Sequence, residues 1–498
     1  MRIVFISPPN KIDPQVDHFR CGPQSAAAVF AAVLLPHHDF TYVDLAPRVP
    51  PLKIGGVYLA EEDLQFDIRM KEAVERFIPM ADVFLISNLY TYQWPQVLSL
   101  VHFLKKRFPE GKFLLGGRHV TGDSQRALME SNCDAVVLGS GEKILPRLIS
   151  GIESCGCIPS SPHVLVKGQS VRNDVLSVAP LPDPSTIPLP RYEVFDKTIY
   201  NYQNFHTGAL RGAAAADIFT SQGCNGVCRF CTTPTMAPSW RPKTLQMIST
   251  ELETLKALGY DELIIEDDNI LLKKERAFEV FQLLHDFGFT WSLVGGIERT
   301  RLDNEVAERL VETGCWRIHL SVESCNTEVI SGQGKWLGAE PSQLAVRQVV
   351  LEKLSLAGME IFIDFVIGFP DQSIQSMWES ADFGKELVND YGASMALFHC
   401  ATPFPGTLFY RDVIAKGYLL NPFDYARYTF AKGSISCAAF EPDELTELRL
   451  RFLEHANGIE LMRKDRDRLQ RPDPRTSSSE LKRNAQFKQP MDLHVRPS

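Results

Sequence analysis

The stretch Gln222-Gly223-Cys224-Asn225-Gly226-Val227-Cys228-Arg229-Phe230-Cys231 decides how the chain is read. Three thiolates at Cys-x3-Cys-x2-Cys spacing on one loop can hold three irons of a cubane 4Fe–4S cluster. The loop has no fourth ligand, so one iron keeps an open coordination position. That is the feature by which a metal site binds a reactant rather than only bracing a fold. A structural zinc loop is the competing reading. Closed zinc sites take four ligands, usually with paired Cys-x2-Cys units, whereas no second pair lies near and the closest histidines are His206 and His285.

Downstream of this loop, short apolar runs alternate with helical patterns. Strands are expected near Asp217–Thr220, Leu263–Glu266, Trp291–Val294, Arg317–Val322, Ile361–Ile367 and Met395–His399. Leu245, Ile248, Leu252, Leu255 and Leu258 form one apolar helix face ended by Gly259. Six βα units make a partial (β/α)6 TIM-type barrel, with its chemistry at the C-terminal strand ends. Upstream, strands at Ile3–Ile6, Tyr42–Val43, Val83–Ser87, Phe113–Leu115 and Ala135–Leu138 also alternate with helices. One of these helices follows Pro95 and carries Val97, Leu98, Leu100, Val101, Leu104 and Phe108 at helical spacing. This pattern implies a doubly wound, Rossmann-like parallel sheet, which takes ligands at its carboxyl strand ends. The expected organisation is α/β: residues 1–155 as that sheet, 156–212 as a Pro-rich linker around Pro180-Leu181-Pro182-Asp183-Pro184, and 213–409 as the barrel. Residues 410–470 read as a small C-terminal α-rich region, with Leu445, Leu448 and Phe452 on a helix, and the charged 471–498 as a disordered tail.

In this context, Cys-x3-Cys-x-Phe-Cys after a first strand resembles the radical S-adenosylmethionine superfamily. The resemblance implies that Cys224, Cys228 and Cys231 hold the cluster and that the open iron chelates the amino and carboxylate groups of S-adenosylmethionine. An electron from the reduced cluster then breaks the sulfonium S–C5′ bond and yields a 5′-deoxyadenosyl radical. It also implies S-adenosylmethionine contacts from Phe230, from Glu266, Asp267 and Asp268 toward the ammonium group, and from Arg299 as a carboxylate clamp. Ser321 and Glu323 would serve the ribose and methionine portions, and Gly368 of Ile367-Gly368-Phe369-Pro370 the adenine-side turn. Each acid alone reads more readily as a solvated loop or helix N-terminal charge; their recurrence at successive strand ends favours a site.

The N-terminal region offers Ser87-Asn88-Leu89 and then Gly116-Gly117, with 26 residues between (90 to 115), followed by Gly139-Ser140-Gly141-Glu142. Ser-x-Leu, this gap and Gly-Gly resemble the cobalamin-binding fold, as the Leu181-Pro182-Asp183-Pro184 and Thr402-Pro403-Phe404-Pro405-Gly406-Thr407 segments resemble cobalamin-dependent radical enzymes. The resemblance implies that Ser87, Leu89, Gly116, Gly117, Gly139, Gly141 and Glu142 contact cobalamin, glycine permitting close backbone approach to a bulky ligand. The Asp-x-His-x-x-Gly motif that gives cobalt a histidine is absent: the first loop reads Ser7-Pro8-Pro9-Asn10, and Asp17-His18 lacks the spacing. Cobalt is therefore expected without a histidine below it, with Tyr90, Tyr92 and Trp94 near the lower face or simply packed. His119, beside the glycine pair, reads as an ordinary hydrogen-bonding histidine.

Composition bounds the rest. At 498 residues the chain suits two or three domains, and 44% hydrophobic with 23% charged residues is ordinary for a soluble protein. A net charge of −9 lacks the basic footprint of a nucleic-acid binder. The apolar run Ala26–Leu35 stops at Pro36, short of the roughly 18 residues of a spanning helix. An opening strand leaves no room for a signal peptide, so a cytoplasmic location is expected, and the eleven cysteines read as free thiols, Cys155-Gly156-Cys157, Cys325 and Cys400 included. Cys21 and Cys133 are too few for the extra cluster of methylthio transfer. The resemblance implies a methyltransferase that carries a methyl group from methylcobalamin to an unactivated carbon, or phosphorus, of a small molecule, with flavodoxin or ferredoxin as electron donor. A non-methylating cyclisation, ring contraction or oxidation with the same cofactors, and a corrinoid-binding or redox-sensing module, are the alternatives.

Overall fold

The computed structural model describes residues 1–11, 22–50, 62–169, 176–200, 210–335 and 348–459, and the backbone of 53–54 and 57–58. Two six-stranded sheets carry the fold. The first contains β1 (Arg2–Ser7), β2 (Asp39–Asp44), β3 (Val83–Ser87), β4 (Lys112–Gly116), β5 (Ala135–Val137) and β6 (Val164–Val166), in spatial order β2-β1-β3-β4-β5-β6. The first five are parallel. Ile3, Phe5, Val83 and Leu85 enter one core, and Val4, Ile6, Phe84 and Ile86 the opposite one. Burial on both faces is why these strands read as continuous apolar runs. The order reverses between β1 and β3, which opens a crevice at their carboxyl ends. The edge strand β6 pairs antiparallel with β5; at three residues it is too short to show periodicity.

The second sheet contains β7 (Ala215–Ile218), β8 (Glu262–Ile265), β9 (Thr290–Glu298), β10 (Cys315–Glu323), β11 (Glu360–Ile367) and β12 (Met395–Cys400), each parallel to its sequence neighbour. This is the expected partial barrel. Along β11, Ile361, Ile363, Phe365 and Ile367 are buried in the shell of helices, while Phe362, Asp364 and Val366 face the lumen. The helices at Trp94–Arg107, with Pro95 in its first turn, and Leu245–Ala257, followed by Gly259 at φ +76°, form where periodicity places them.

The Pro-rich segment packs between the sheets. Tyr192 Oη donates to Glu251 Oε1 at 2.6 Å beside the barrel, and Tyr200 Oη donates to Asp44 Oδ2 at 2.8 Å at the end of β2. Helix Pro442–Asn457 buries Leu445, Leu448 and Phe452, and the Asn457 amide bonds both backbone groups of Ala396 on β12, at 2.7 and 2.8 Å. The expected tail at 471–498 lies outside the described residues. One expectation is corrected. Cys155 and Cys157 are joined by a disulfide: Gly156 turns left-handed at φ +68° and brings their Cα atoms to 5.3 Å, within bridging range.

Candidate active site

The cysteine loop leaves the carboxyl end of β7 through a glycine no other residue could replace without strain. Gly223 has φ +80°, and a Cβ there would lie 2.2 Å from the Ser239 carbonyl oxygen. Its N–H donates to Asp268 Oδ2 at 2.8 Å, and Asp268 Oδ1 accepts from Thr233 Oγ1 at 3.0 Å, so this acid ties both ends of the loop. Asp267 is fully buried beneath, accepting from Thr220 N at 2.6 Å, Thr220 Oγ1 at 2.7 Å and Ser221 Oγ. Burial pushes its carboxyl up to about 6 despite those bonds. The expected ammonium-binding role of Asp267 is thus corrected: it faces the protein interior and anchors the loop. Asp268 is likewise committed to the loop, and Glu266 alone of the three acids lies toward the mouth, where it faces Tyr90.

Cys224, Cys228 and Cys231 are partly buried free thiols. Gly226 N–H donates to Cys224 Sγ at 3.3 Å and Thr233 N–H to Cys231 Sγ at 3.4 Å, bonds that favour the anionic sulfurs of an iron–sulfur cluster. Among the described residues no three His, Cys, Asp or Glu side chains converge on one ion position. Burial pushes Cys228 up to about 12, opposed by Lys335; metal ligation requires the thiolate. Phe230 packs against Phe369 at 5.6 Å between ring centres and so braces the loop from outside.

Strand ends β9 and β10 meet at Glu323, a non-glycine residue at φ +66°. Such strain persists only where surroundings enforce it and clusters at functional sites. Arg299 enforces it: its buried guanidinium donates from Nη1 to the carbonyls of Val322 and Ser324 at 3.3 and 3.1 Å. Arg299 therefore holds the Glu323 turn. Glu323 pairs with Lys335, whose ammonium also lies within electrostatic reach of Cys228. Lys335 had no motif to announce it. Gly368 at φ +84° is required by the C-terminal helix, since a Cβ would strike Leu445 at 2.3 Å. Ser321 lies in the lumen beside Gly296, part of a β9 irregularity at Gly295-Gly296 that removes side chains from the wall. The sequence reading also passed over His319, Asp364 and His399, which meet in the lumen.

The first sheet presents its carboxyl ends to this mouth. Arg118, after β4, donates from Nη1 to Thr232 Oγ1 at 2.7 Å, next to Cys231, and lies 3.9 Å from Asp268. Gly122 meets Gly406 so closely that a Cβ would lie 2.1 Å from the Pro405 carbonyl oxygen. Tyr90 and Tyr92 stack with ring centres 5.5 Å apart, and Tyr90 faces Glu266 and Arg118. Ser87 pairs with Gly116 across β3–β4. Gly116 is open, nothing lying nearer than 3.9 Å to a Cβ, and so offers a cradle for a bulky ligand. Gly117 and Gly139 serve the protein's own packing, against Asn88 at 2.3 Å and Ala179 at 2.5 Å, while Gly141 abuts Phe30 at 3.0 Å. Leu89 is partly buried beyond β3, and Glu142 accepts from Ser140 Oγ.

Residues 218–384 match the radical SAM superfamily model and residues 56–149 the B12 binding domain model. The chain thus carries a radical S-adenosylmethionine domain together with a cobalamin-binding domain. It is 25% identical over 90% of its length, and 90% of the relative's, to an uncharacterized methyltransferase of Pyrococcus horikoshii. To the cytidylyl-2-hydroxyethylphosphonate methyltransferase of Streptomyces wedmorensis it is 25% identical over 74% of each chain. The fold is similar to that of the radical S-adenosylmethionine methyltransferase TsrM from Kitasatospora setae, solved with cobalamin and a 4Fe–4S cluster (TM-score 0.59, 15% identity, 95% and 91% of the two chains covered). The chain's cofactors are accordingly a 4Fe–4S cluster, S-adenosylmethionine and cobalamin. The three thiols, the cradle at Gly116 and the facing strand ends fit all three.

The surroundings of His119 speak against a role as cobalt ligand. It is buried against Trp94 and Tyr425, with Nδ1 3.3 Å from Thr91 Oγ1, and burial pushes it down to about 3. Electron paramagnetic resonance of the Co(II) protein is expected to lack single-nitrogen splitting, with the spectrum unchanged in His119→Gln. A nitrogen triplet that vanishes in the variant would reverse the assignment.

Proposed function

We propose that this chain is a cobalamin-dependent radical methyltransferase that places a methyl group on an unactivated carbon, or phosphorus, of a small molecule. The observation that carries the reading is the opposition of the two sheets' carboxyl ends, fastened by Arg118 on Thr232 and by Gly122 on Gly406. This is where a radical source held by the cysteine loop and a methyl donor held by the first sheet would meet one substrate. Its two long relatives, both named as methyltransferases, support it.

When bound, the cofactors supply a hydrogen-abstracting radical and a methyl donor, and the protein supplies position and water exclusion. Cys224, Cys228 and Cys231 would hold the cluster, with Gly226 and Thr233 N–H groups on the sulfurs. Glu323, fixed by Arg299 and paired with Lys335, would meet S-adenosylmethionine at the loop, and Glu266 would receive its ammonium by charge attraction. Tyr90 and Tyr92 would flank the corrinoid on the mouth side. A flavodoxin or ferredoxin supplies electrons in this reading, and the enzyme works in the cytoplasm. No helix among the described residues is long and apolar enough to cross a membrane.

The test is turnover of the reconstituted enzyme with methyl-labelled S-adenosylmethionine and cytidylyl-2-hydroxyethylphosphonate, the compound named for the Streptomyces relative. Label is expected in the organic product. A labelled pool that never leaves the cofactors while substrate is consumed would overturn methyl transfer.

A further inference from the structure

Three titratable side chains meet inside the barrel, away from the cysteine loop. His319 on β10 lies with Nδ1 3.1 Å from Asp364 Oδ2 on β11, and His399 on β12 with Nε2 2.9 Å from Asp364 Oδ1. All three point into the lumen, on the faces opposite the buried Ile361, Ile363, Phe365 and Ile367. Their side chains keep 20%, 17% and 30% of their surface, so the cluster borders open space. Asp364 sits three residues before the end of β11, about 10 Å below the rim at the usual rise per residue.

The bonds fix which ring atoms remain. The carboxylate is acceptor-only, so each imidazole donates one N–H to it. Burial would raise Asp364, but the two imidazoles overcome it and hold the carboxyl well below the ordinary carboxylate range. His319 Nε2 and His399 Nδ1 make no protein hydrogen bond among the described residues. In a neutral ring that second nitrogen is an acceptor. His319 is steadied by Phe362 at 5.0 Å and His399 by Phe430 at 5.6 Å, so both rings are held in place.

The charged groups at these strand ends are bonded among themselves: Arg317 to Glu360 at 2.7 Å, Arg299 to the carbonyls under Glu323, and Arg301 to Glu298 at 3.4 Å. At the cluster itself a hydroxyl group meets two oriented acceptors backed by the Asp364 carboxylate.

We propose that His319, Asp364 and His399 form the hydroxyl-binding site of the substrate, which carries an alcohol group whose O–H donates to His319 Nε2 or His399 Nδ1. This rests on the barrel lumen being the substrate chamber of the proposed methyltransferase. Asp364 is the positioning residue and the imidazoles are the contacts. A site built to bond a substrate hydroxyl discriminates strongly against the analogue lacking it, because its buried polar groups are left unpaired.

The experiment compares two probes on the full-length, anaerobically reconstituted protein: cytidylyl-2-hydroxyethylphosphonate and its deoxy counterpart, cytidylyl ethylphosphonate. Calorimetry is expected to show the hydroxyl probe binding at least ~10-fold tighter. Histidine-selective 15N spectra of the wild type should shift at two rings with the hydroxyl probe only. His319→Gln, His399→Gln and Asp364→Asn, prepared with wild-type iron and cobalamin content, should bind both probes within about twofold of one another. Equal affinities in the wild type, discrimination surviving in all three variants, or no binding of either probe would each overturn the proposal. The same preparation's 5′-deoxyadenosine production reports separately on the radical-enzyme reading, so failure of one is distinguished from failure of the other.

Discussion

Replacing Cys224, Cys228 and Cys231 together with alanine is expected to remove the cluster and abolish cleavage of S-adenosylmethionine. The wild type should carry about four irons after anaerobic reconstitution, as three-cysteine cubane ligation implies. Each thiol would serve a different corner in this reading, so single replacements are also expected to lose most of the iron. Formation of 5′-deoxyadenosine should fall to background, a loss of at least ~1000-fold, because the cluster is the proposed source of the electron. Cys133→Ala is the internal control. Its thiol is wholly buried in the first sheet's core and donates to the Ala135 carbonyl at 3.4 Å, so it should leave iron content and cleavage near wild type. Retention of iron and of 5′-deoxyadenosine in the triple variant would remove the basis for the radical reading.

The path from sequence to site was uneven for physical reasons. Strands with both faces buried must be apolar throughout, so β3 stands out in the chain at its observed ends, while β11, fully buried only at alternate residues, stands out within one residue of its own. The cysteine spacing is likewise local chemistry on one loop. Roles that depend on orientation are not local. Asp267 and Glu266 are sequence neighbours, yet one is sealed against Thr220 and Ser221 while the other reaches the mouth, because consecutive residues leave a strand end in opposite directions. Gly117, Gly139 and Gly368 carry a real backbone demand, but the partner turns out to be Asn88, Ala179 and Leu445. Arg299 and Glu323 come together only through a left-handed turn that no motif encodes. His319, Asp364 and His399 lie on three strands and are invisible until those strands are in register. Lys335 reaches Glu323 and the Cys228 region from the end of another helix.

Turnover is expected to form S-adenosylhomocysteine and 5′-deoxyadenosine in about equal, substrate-dependent amounts. One S-adenosylmethionine gives up its methyl group and a second supplies the radical, so each methylated product consumes both. A priming methylation can precede substrate, and only the rates after addition of substrate bear on the ratio. The residues around Glu323 sharpen the test. Arg299 holds the carbonyls of Val322 and Ser324, and so keeps Glu323 at φ +66° beside Lys335 and Cys228. Arg299→Ala or Glu323→Ala should therefore lower both products by ~10-fold or more while leaving their ratio near one, because both loosen the single place where S-adenosylmethionine meets the cluster. A variant that lost only one product would separate two S-adenosylmethionine sites and contradict a shared one. Should 5′-deoxyadenosine form in step with substrate loss while S-adenosylhomocysteine and labelled product stay absent, the chemistry is a cyclisation or oxidation run by the same cofactors. The opposed strand ends would then serve to steer a substrate radical rather than to methylate it.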